Sequence, residues 1–238
     1  MIKPEQHSAE SKKSQIANMF NKIADSYDFL NHTLSFGMDF YWRKKAISKL
    51  NNNPKRILDV ATGTADFAIA ATKLNKADII GVDISENMLE IGEKKVKSKG
   101  LENRIKLQLA DSENLPFKND CFDAITAGFG VRNFENLKIG LSEMWRALNK
   151  NRIVVILEPS KPKIFPIKQI YGIYFHQILP FFGRLISKDK NAYNYLPASV
   201  DAFPENEEFV AILKDVGFSK TKFIPLTFGI VSLYIAIK

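Results

Sequence analysis

Cysteine is nearly missing from this chain. Cys121 is the only one among 238 residues, so no internal disulfide can form and a reducing compartment is implied. Histidine is almost as scarce: His7, His32 and His176 show no local metal-ligand spacing, and metal-free chemistry is the expectation. Long apolar runs are lacking too. The longest uncharged stretches, 169–183 and 223–237, fall short of the roughly 20 residues a bilayer span requires and are interrupted by Pro and Gly, so neither is expected to cross a membrane. The first fifteen residues hold no apolar core of a signal peptide, and export is not expected. What is present is an ordinary globular composition, 45% hydrophobic and 25% charged, with a formal charge of +8 and 18 Phe. A basic, Phe-rich surface points to nucleic acid or an anionic membrane as a partner.

From residue 54 apolar runs alternate with helical patterns. Strands are expected at about 55–60, 78–83, 104–109, 122–127 and 152–158, with helices between them from Phe67 to Leu74, through Met88, Leu89 and Val96, and from about Phe134 to Leu148. That alternation predicts an α/β fold with a mostly parallel sheet. After 160 it gives way to an aromatic-rich helical segment to about 187, a helix near 205–215 and a β-hairpin turning at Thr227–Gly229. The chain reads as a single domain over 1–238. It comprises an N-terminal helical cap (11–50), a ligand-binding core (54–160), an inserted cap (160–200) and a C-terminal helix and hairpin (201–238).

In an open parallel sheet, ligands bind beyond the carboxyl ends of the strands, so the first strand-to-helix turn is informative. It reads Asp59-Val60-Ala61-Thr62-Gly63-Thr64-Ala65-Asp66. A dinucleotide loop needs GxGxxG; this one has a single glycine, Gly63, flanked by two carboxylates that would repel phosphate. They suit an amino-acid end, whose carboxylate meets the helix N-terminus while its ammonium meets an aspartate such as Asp59. Asp83, twenty positions after Gly63, ends the second strand where an acid accepts from both ribose hydroxyls, and Asp111-Ser112 follow the third, placed to read an adenine amine. Adenine, ribose and a cationic amino acid together describe S-adenosylmethionine. The structural alternative makes Asp59 or Asp66 a loop residue or helix cap.

With those residues in place, the chain resembles the Rossmann-like class I S-adenosylmethionine-dependent methyltransferases, and within them the ubiquinone/menaquinone biosynthesis C-methyltransferase family. The resemblance spans nearly the whole chain. It rests on Tyr27-Asp28-Phe29-Leu30-Asn31, the VATGT loop, Asp83-Ile84-Ser85, Leu115-Pro116-Phe117, Phe129-Gly130-Val131-Arg132-Asn133, Leu157-Glu158-Pro159-Ser160, Tyr195-Leu196 and Phe203-Pro204. It implies a seven-stranded sheet with an antiparallel C-terminal strand, and cosubstrate contacts at Thr64, Asp83, Asp111 and Ser112. Three departures stand out. Ala65 replaces the second glycine of the loop, so either its φ is negative or the close approach is relaxed; Asn149-Lys150-Asn151 replaces Pro-Gly-Gly before the fifth strand; and Pro159 stands where an apolar residue is usual.

The reaction implied is transfer of a methyl group to a ring carbon of a demethylated prenyl quinol, demethylmenaquinol foremost, with naphthoquinol and benzoquinol not separable from the residues. Carbon is a poor nucleophile until the adjacent ring hydroxyl ionises, so the site must favour a phenolate. Arg132 and Asn133, after the fourth strand, are the candidates to face that oxygen, unless Arg132 is merely paired to a loop acid such as Glu135. Tyr27, in the cap, could bond a quinol oxygen or simply pack, and His176 is a conceivable base or a packing residue. Cys121 precedes the fourth strand, opposite the ligand loops, and reads as an ordinary small residue. No Asn/Asp-Pro-Pro-aromatic run follows that strand, which disfavours nucleic acid. The aromatic segment from Phe165 to Phe182, flanked by Lys161, Lys163, Lys168, Arg184, Lys188 and Lys190, reads both as a cap packed on the core and as a tunnel for a prenyl tail whose basic rim rests on an anionic membrane. The expected location is therefore cytoplasmic and peripheral to the membrane. A homodimer is left open, as are another small-molecule methyltransferase and a non-catalytic S-adenosylmethionine-binding protein.

Overall fold

The computed structural model describes residues 2–50, 53–74, 77–179 and 190–238, with the backbone alone for 190–193. Strands β1 (Arg56–Val60), β2 (Asp78–Asp83), β3 (Ile105–Leu109), β4 (Phe122–Gly128), β5 (Leu148–Pro159), β6 (Ser219–Leu226) and β7 (Val231–Ile237) form one sheet in the order β3-β2-β1-β4-β5-β7-β6. Pairing is parallel from β3 through β5, and β7 runs antiparallel to both of its neighbours. Residues alternate between the two faces along every central strand. Ile57, Ala124, Val155 and Leu233 enter one apolar layer, and Leu58, Ile125, Val154 and Tyr234 the other.

Helices cover both faces: α1 (Lys12–Leu34), α2 (Met38–Ile47), α3 (Asp66–Ala71), α4 (Glu86–Ser98), α5 (Leu137–Ala147), α6 (Ile167–Ile173), α7 (Lys190–Ala202) and α8 (Glu207–Val216). Their starts follow local chemistry. The side chains of Ser11, Ser85 and Asn136 accept the N–H groups of Ser14, Met88 and Ile139 and so satisfy donors that a first helical turn leaves open. Amphipathic spacing then turns Ile16, Met19, Ile23 and Leu30 of α1 inward, where they form a third apolar cluster with Met88, Phe175, Leu179 and Tyr195.

The expected strands are present to within a residue or two, except that β5 begins at Leu148 rather than 152. Its extra residues form a bulge opposite Phe122–Ala124, with Asn151 at φ 58°, a left-handed conformation its side chain tolerates. Helix α7 lay outside the expected elements because Pro197 sits inside it, and proline ordinarily ends a helix. Residues 180–189, with Phe182, Arg184 and Lys188, lie outside the described residues, as does the side chain of Lys190. No helix among the described residues is long and apolar enough to cross a membrane.

Candidate functional site

Sequence order reverses between β1 and β4, and parallel sheets bind ligands beyond the strand ends at such a switch point. A cavity of about 690 Å³ opens there, lined by Gly63 after β1, Asp83 and Ile84 at the end of β2, Asp111 and Ser112 after β3, and Gly128 to Gly130 after β4. Helix α1 roofs it with Lys13, Ile16, Phe20 and Tyr27. Four of the six expected cosubstrate residues, Gly63, Asp83, Asp111 and Ser112, therefore face one space.

The floor depends on unusual backbone. Ala61, Gly63 and Ala65 have φ of 54°, 56° and 67°, and Phe129 has 61°. Ala65 thus keeps the left-handed conformation, at a cost of about 1 kcal/mol, rather than escaping it. A Cβ built on Gly130 would lie 2.4 Å from that of Ala61, so the loops after β1 and β4 touch only because this residue has no side chain. Asp83 organises the same floor: one oxygen accepts from the Gly63 N–H at 2.8 Å and the other from the Ser85 N–H at 2.9 Å. Burial pushes its carboxyl above the usual range, with these backbone donors opposing.

Asp59 does not face the cavity. It is wholly buried, and its two oxygens accept from the hydroxyls of Thr62 at 2.6 Å and Thr126 at 2.7 Å, so it ties the β1 loop to β4. Burial raises its pKa to about 6, against the two hydroxyl bonds. Asp66 and Thr64 are likewise held by protein partners. The Thr64 hydroxyl donates to Asp28, and the Lys95 ammonium bridges Asp28 at 2.7 Å and Asp66. Arg43 pairs with Asp39 and, at 3.4 Å, with Asp66, while His32 Nδ1 lies 2.7 Å from Asp39. This network clasps α1 and α2 to the start of α3. It also brings Asp28, His32 and Asp66 within 4.8 Å of one another, a juxtaposition that sequence separation hid, with the Lys95 ammonium paired to both carboxylates.

A second, larger cavity of about 1110 Å³ lies between α1, α2, α6 and α7. It is mostly apolar and meets the first at Phe20, Tyr27, Phe129 and Asn133, which line both. Arg132 lines the larger one. Its guanidinium pairs with the fully buried Glu158 at 3.0 Å and bonds the Phe129 carbonyl, and the Glu158 carboxylate also accepts the Arg132 N–H at 3.3 Å. The partner acid is thus Glu158 and not Glu135, whose carboxylate instead accepts the Lys12 N–H at 2.9 Å. The Tyr195 hydroxyl donates to Asn133 Oδ1 at 3.2 Å, and Tyr27 lies over Gly63. His176 reaches neither cavity: it stands half-exposed on the cap, 3.8 Å from Asp201. Pro159 lines the larger cavity, and Cys121, bonded to the Lys118 carbonyl, lies at the opposite end of the sheet.

Residues 7–238 match the ubiE/COQ5 methyltransferase family. The chain belongs to it. Over its full length it is 49% identical to a demethylmenaquinone methyltransferase of Bacteroides fragilis, covering 97% of that protein. It is 44% identical to the Porphyromonas gingivalis protein of the same name, with 95% and 94% of the two chains covered. Identity to a ubiquinone/menaquinone biosynthesis C-methyltransferase of Geotalea daltonii is 46%, covering 94% of this chain and 96% of that one. The fold extends further. An S-adenosylmethionine-dependent methyltransferase structure from Thermotoga maritima superposes with a TM-score of 0.68 at 19% identity, covering 94% of this chain and 99% of that one. One from Methanococcus maripaludis gives 0.67 at 20%, covering 92% and 93%.

Within this family member, Lys13 and Glu113 were missed by sequence reasoning. The Lys13 ammonium pairs with Asp111 across the mouth of the smaller cavity, 3.6 Å from Glu113, and Glu113 also accepts the N–H groups of Glu135 and Asn136. No motif marked them, because α1 approaches the β3 loop only in the folded chain.

Proposed function

We propose that this enzyme transfers the methyl group of S-adenosylmethionine to a ring carbon of a demethylated prenyl naphthoquinol, giving menaquinol, at the inner face of the membrane. The observation that carries the reading is the junction of the two cavities. A polar cavity at the strand ends, with Asp83 set for the ribose diol and Asp111 and Ser112 for the base, opens through Tyr27, Phe129 and Asn133 into a large apolar chamber. S-adenosylmethionine supplies an electrophilic methyl on a sulfonium. The protein's part is to hold that methyl at the junction and the acceptor ring beside it, and to favour ionisation of the hydroxyl next to the reacting carbon. Arg132 promotes that ionisation, since it lines the chamber with its guanidinium fixed by Glu158. Asn133, held by Tyr195, and Tyr27 align the ring from the seam.

The cap supports the prenyl assignment. Tyr171, Tyr174, Phe175 and Leu179 line the chamber, whereas Phe165, Ile170 and Ile178 point to solvent. Around the chamber two further segments expose large apolar side chains beside Phe165, which is 77% exposed: Phe36 is 81% exposed and Phe228 67%. Phe36 touches Tyr174 at 5.9 Å between ring centres, and Ile164 and Phe228 line a common groove with exposed Lys163. An apolar rim with lysines suits an anionic bilayer, where a tail that costs about 0.8 kcal/mol per CH₂ to expose to water resides.

The test is incubation of the pure protein with labelled S-adenosylmethionine and demethylmenaquinol or benzoquinol analogues, with the product identified. Methylation at the free ring carbon of the naphthoquinol supports the reading, and turnover of neither quinol overturns it. Sedimentation with vesicles examines the membrane part. Binding is expected to rise with anionic lipid, fall with salt, and drop in the triple variant Phe36→Ser, Phe165→Ser, Phe228→Ser.

A further inference from the structure

Four buried side-chain polar atoms have no hydrogen-bond partner among the described residues: Arg132 Nε, Trp145 Nε1, the Tyr171 hydroxyl and Thr221 Oγ1. Trp145 lies beneath the Lys238 ammonium at 4.2 Å, and Thr221 is on β6, near the far edge of the sheet. The other two belong to residues of one cavity. Arg132 and Tyr171 both line the apolar chamber. Buried donors in folded proteins are almost always satisfied, because an unmet one loses water and gains nothing in return. Two of them in one chamber mark a position whose hydrogen-bond partner comes with the ligand.

The two atoms approach from different elements. Arg132 follows β4; its Nη1 is occupied by Glu158 and the Phe129 carbonyl, and its buried Nε has no partner among the described residues. Tyr171 comes from α6 of the cap, and its ring is set by stacking on Phe175 at 5.0 Å with planes 15° apart. Burial foremost, with the charge of Asp201 adding, pushes the Tyr171 phenol well above its ordinary range, so it remains protonated and acts as a donor, not a base.

We propose that the Tyr171 hydroxyl, in the chamber that Arg132 also lines, donates a hydrogen bond to the ring oxygen of the phenolic acceptor, so that the cap supplies part of the group that holds the phenolate. This rests on the reading of the chain as a quinol C-methyltransferase. The ring hydroxyl first loses its proton to water. The oxygen then forms a C=O bond as the neighbouring carbon bonds the methyl, and the C–S pair returns to sulfur as a thioether. Loss of the proton on that carbon to water restores the aromatic phenolate, which is reprotonated on release. Donors on the oxygen favour the first step, since a hydrogen bond to the charged form lowers a pKa.

A 1-naphthol bound with S-adenosylhomocysteine serves as the probe, because the absorbance of naphthol and naphtholate differs. In the wild type the bound naphthol is expected to ionise below its free midpoint. Tyr171→Phe keeps the stacked ring and is expected to raise the bound midpoint by about one pH unit, equivalent to tenfold less phenolate, with turnover on quinol about tenfold lower at pH 7 and cosubstrate affinity unchanged. Replacement of Tyr171 by 3-fluorotyrosine, a stronger donor, is expected to lower the midpoint, and it tests the same bond should the Phe variant fold poorly. An unchanged midpoint in both variants overturns the proposal while leaving the methyltransferase reading intact, and so does a loss of turnover without a shift. A wild type that does not lower the naphthol's midpoint likewise overturns the proposal, whereas turnover of neither quinol removes the methyltransferase reading with it.

Discussion

Asp59 offers a sharp test, because its two assignments predict opposite behaviour. If it met the cosubstrate ammonium, Asp59→Asn would cost a charge-assisted bond and affinity would fall by about 10- to 100-fold. The structure instead buries it between Thr62 and Thr126. Its folded pKa of about 6 stands above the ordinary value of 3.8. The folded state therefore holds this proton more tightly than the unfolded chain. The stability it contributes is complete below pH 3.8 and is lost as pH rises through 6, by up to about 3 kcal/mol for roughly two pKa units. Asn carries no charge to bury. Its amide must donate where the carboxylate accepted, which costs about 1 kcal/mol at every pH. Urea unfolding of both proteins between pH 4 and 7.5 is expected to show the variant gaining about 2–3 kcal/mol on the wild type across that interval. Calorimetry at pH 7 is expected to show S-adenosylhomocysteine affinity changed less than about threefold. A parallel pH dependence together with collapsed affinity would refute the buried-staple account.

Asp83→Ala is expected to weaken cosubstrate binding by roughly 2–4 kcal/mol, since it would remove the two bonds proposed to the ribose and free the Gly63 and Ser85 N–H groups; unchanged calorimetric affinity would take Asp83 out of the site. Arg132→Lys keeps the charge but loses the planar guanidinium that bonds both Glu158 and the Phe129 carbonyl. Turnover should fall by about 10- to 100-fold with cosubstrate affinity nearly intact, and steady-state kinetics showing normal turnover with lost affinity would reverse the assignment. Burial, with Arg132 adding, lowers the Lys12 pKa from 10.5 to about 8. The unfolded chain therefore binds more protons between those values, and the wild type should gain about 2–3 kcal/mol relative to Lys12→Met as pH rises from 8 to 10.5; denaturation curves that stay parallel would contradict it.

Where period and chemistry are local, the sequence alone was decisive. Alternating apolar runs located β1 to β4 because a strand's faces repeat every two residues, and Asp83 and Ser112 were legible because a parallel sheet places its strand ends together. Tertiary structure decided the rest, for reasons of partnership. Whether an aspartate faces a ligand or a threonine depends on what lies across the sheet, so Asp59 turned to Thr126, 67 residues away. Arg132 took Glu158 over the nearby Glu135 because the fifth strand runs beside the fourth. Lys13 reached Asp111 only through the docking of α1, and Pro197 was absorbed inside a helix. The cap's two readings became two faces of one segment, since helical spacing sends Tyr171 and Phe175 into the chamber while Ile170 and Ile178 face water. Local pattern names the elements and the residues at their ends. Only packing decides which of those residues already have a partner and which are left for a ligand.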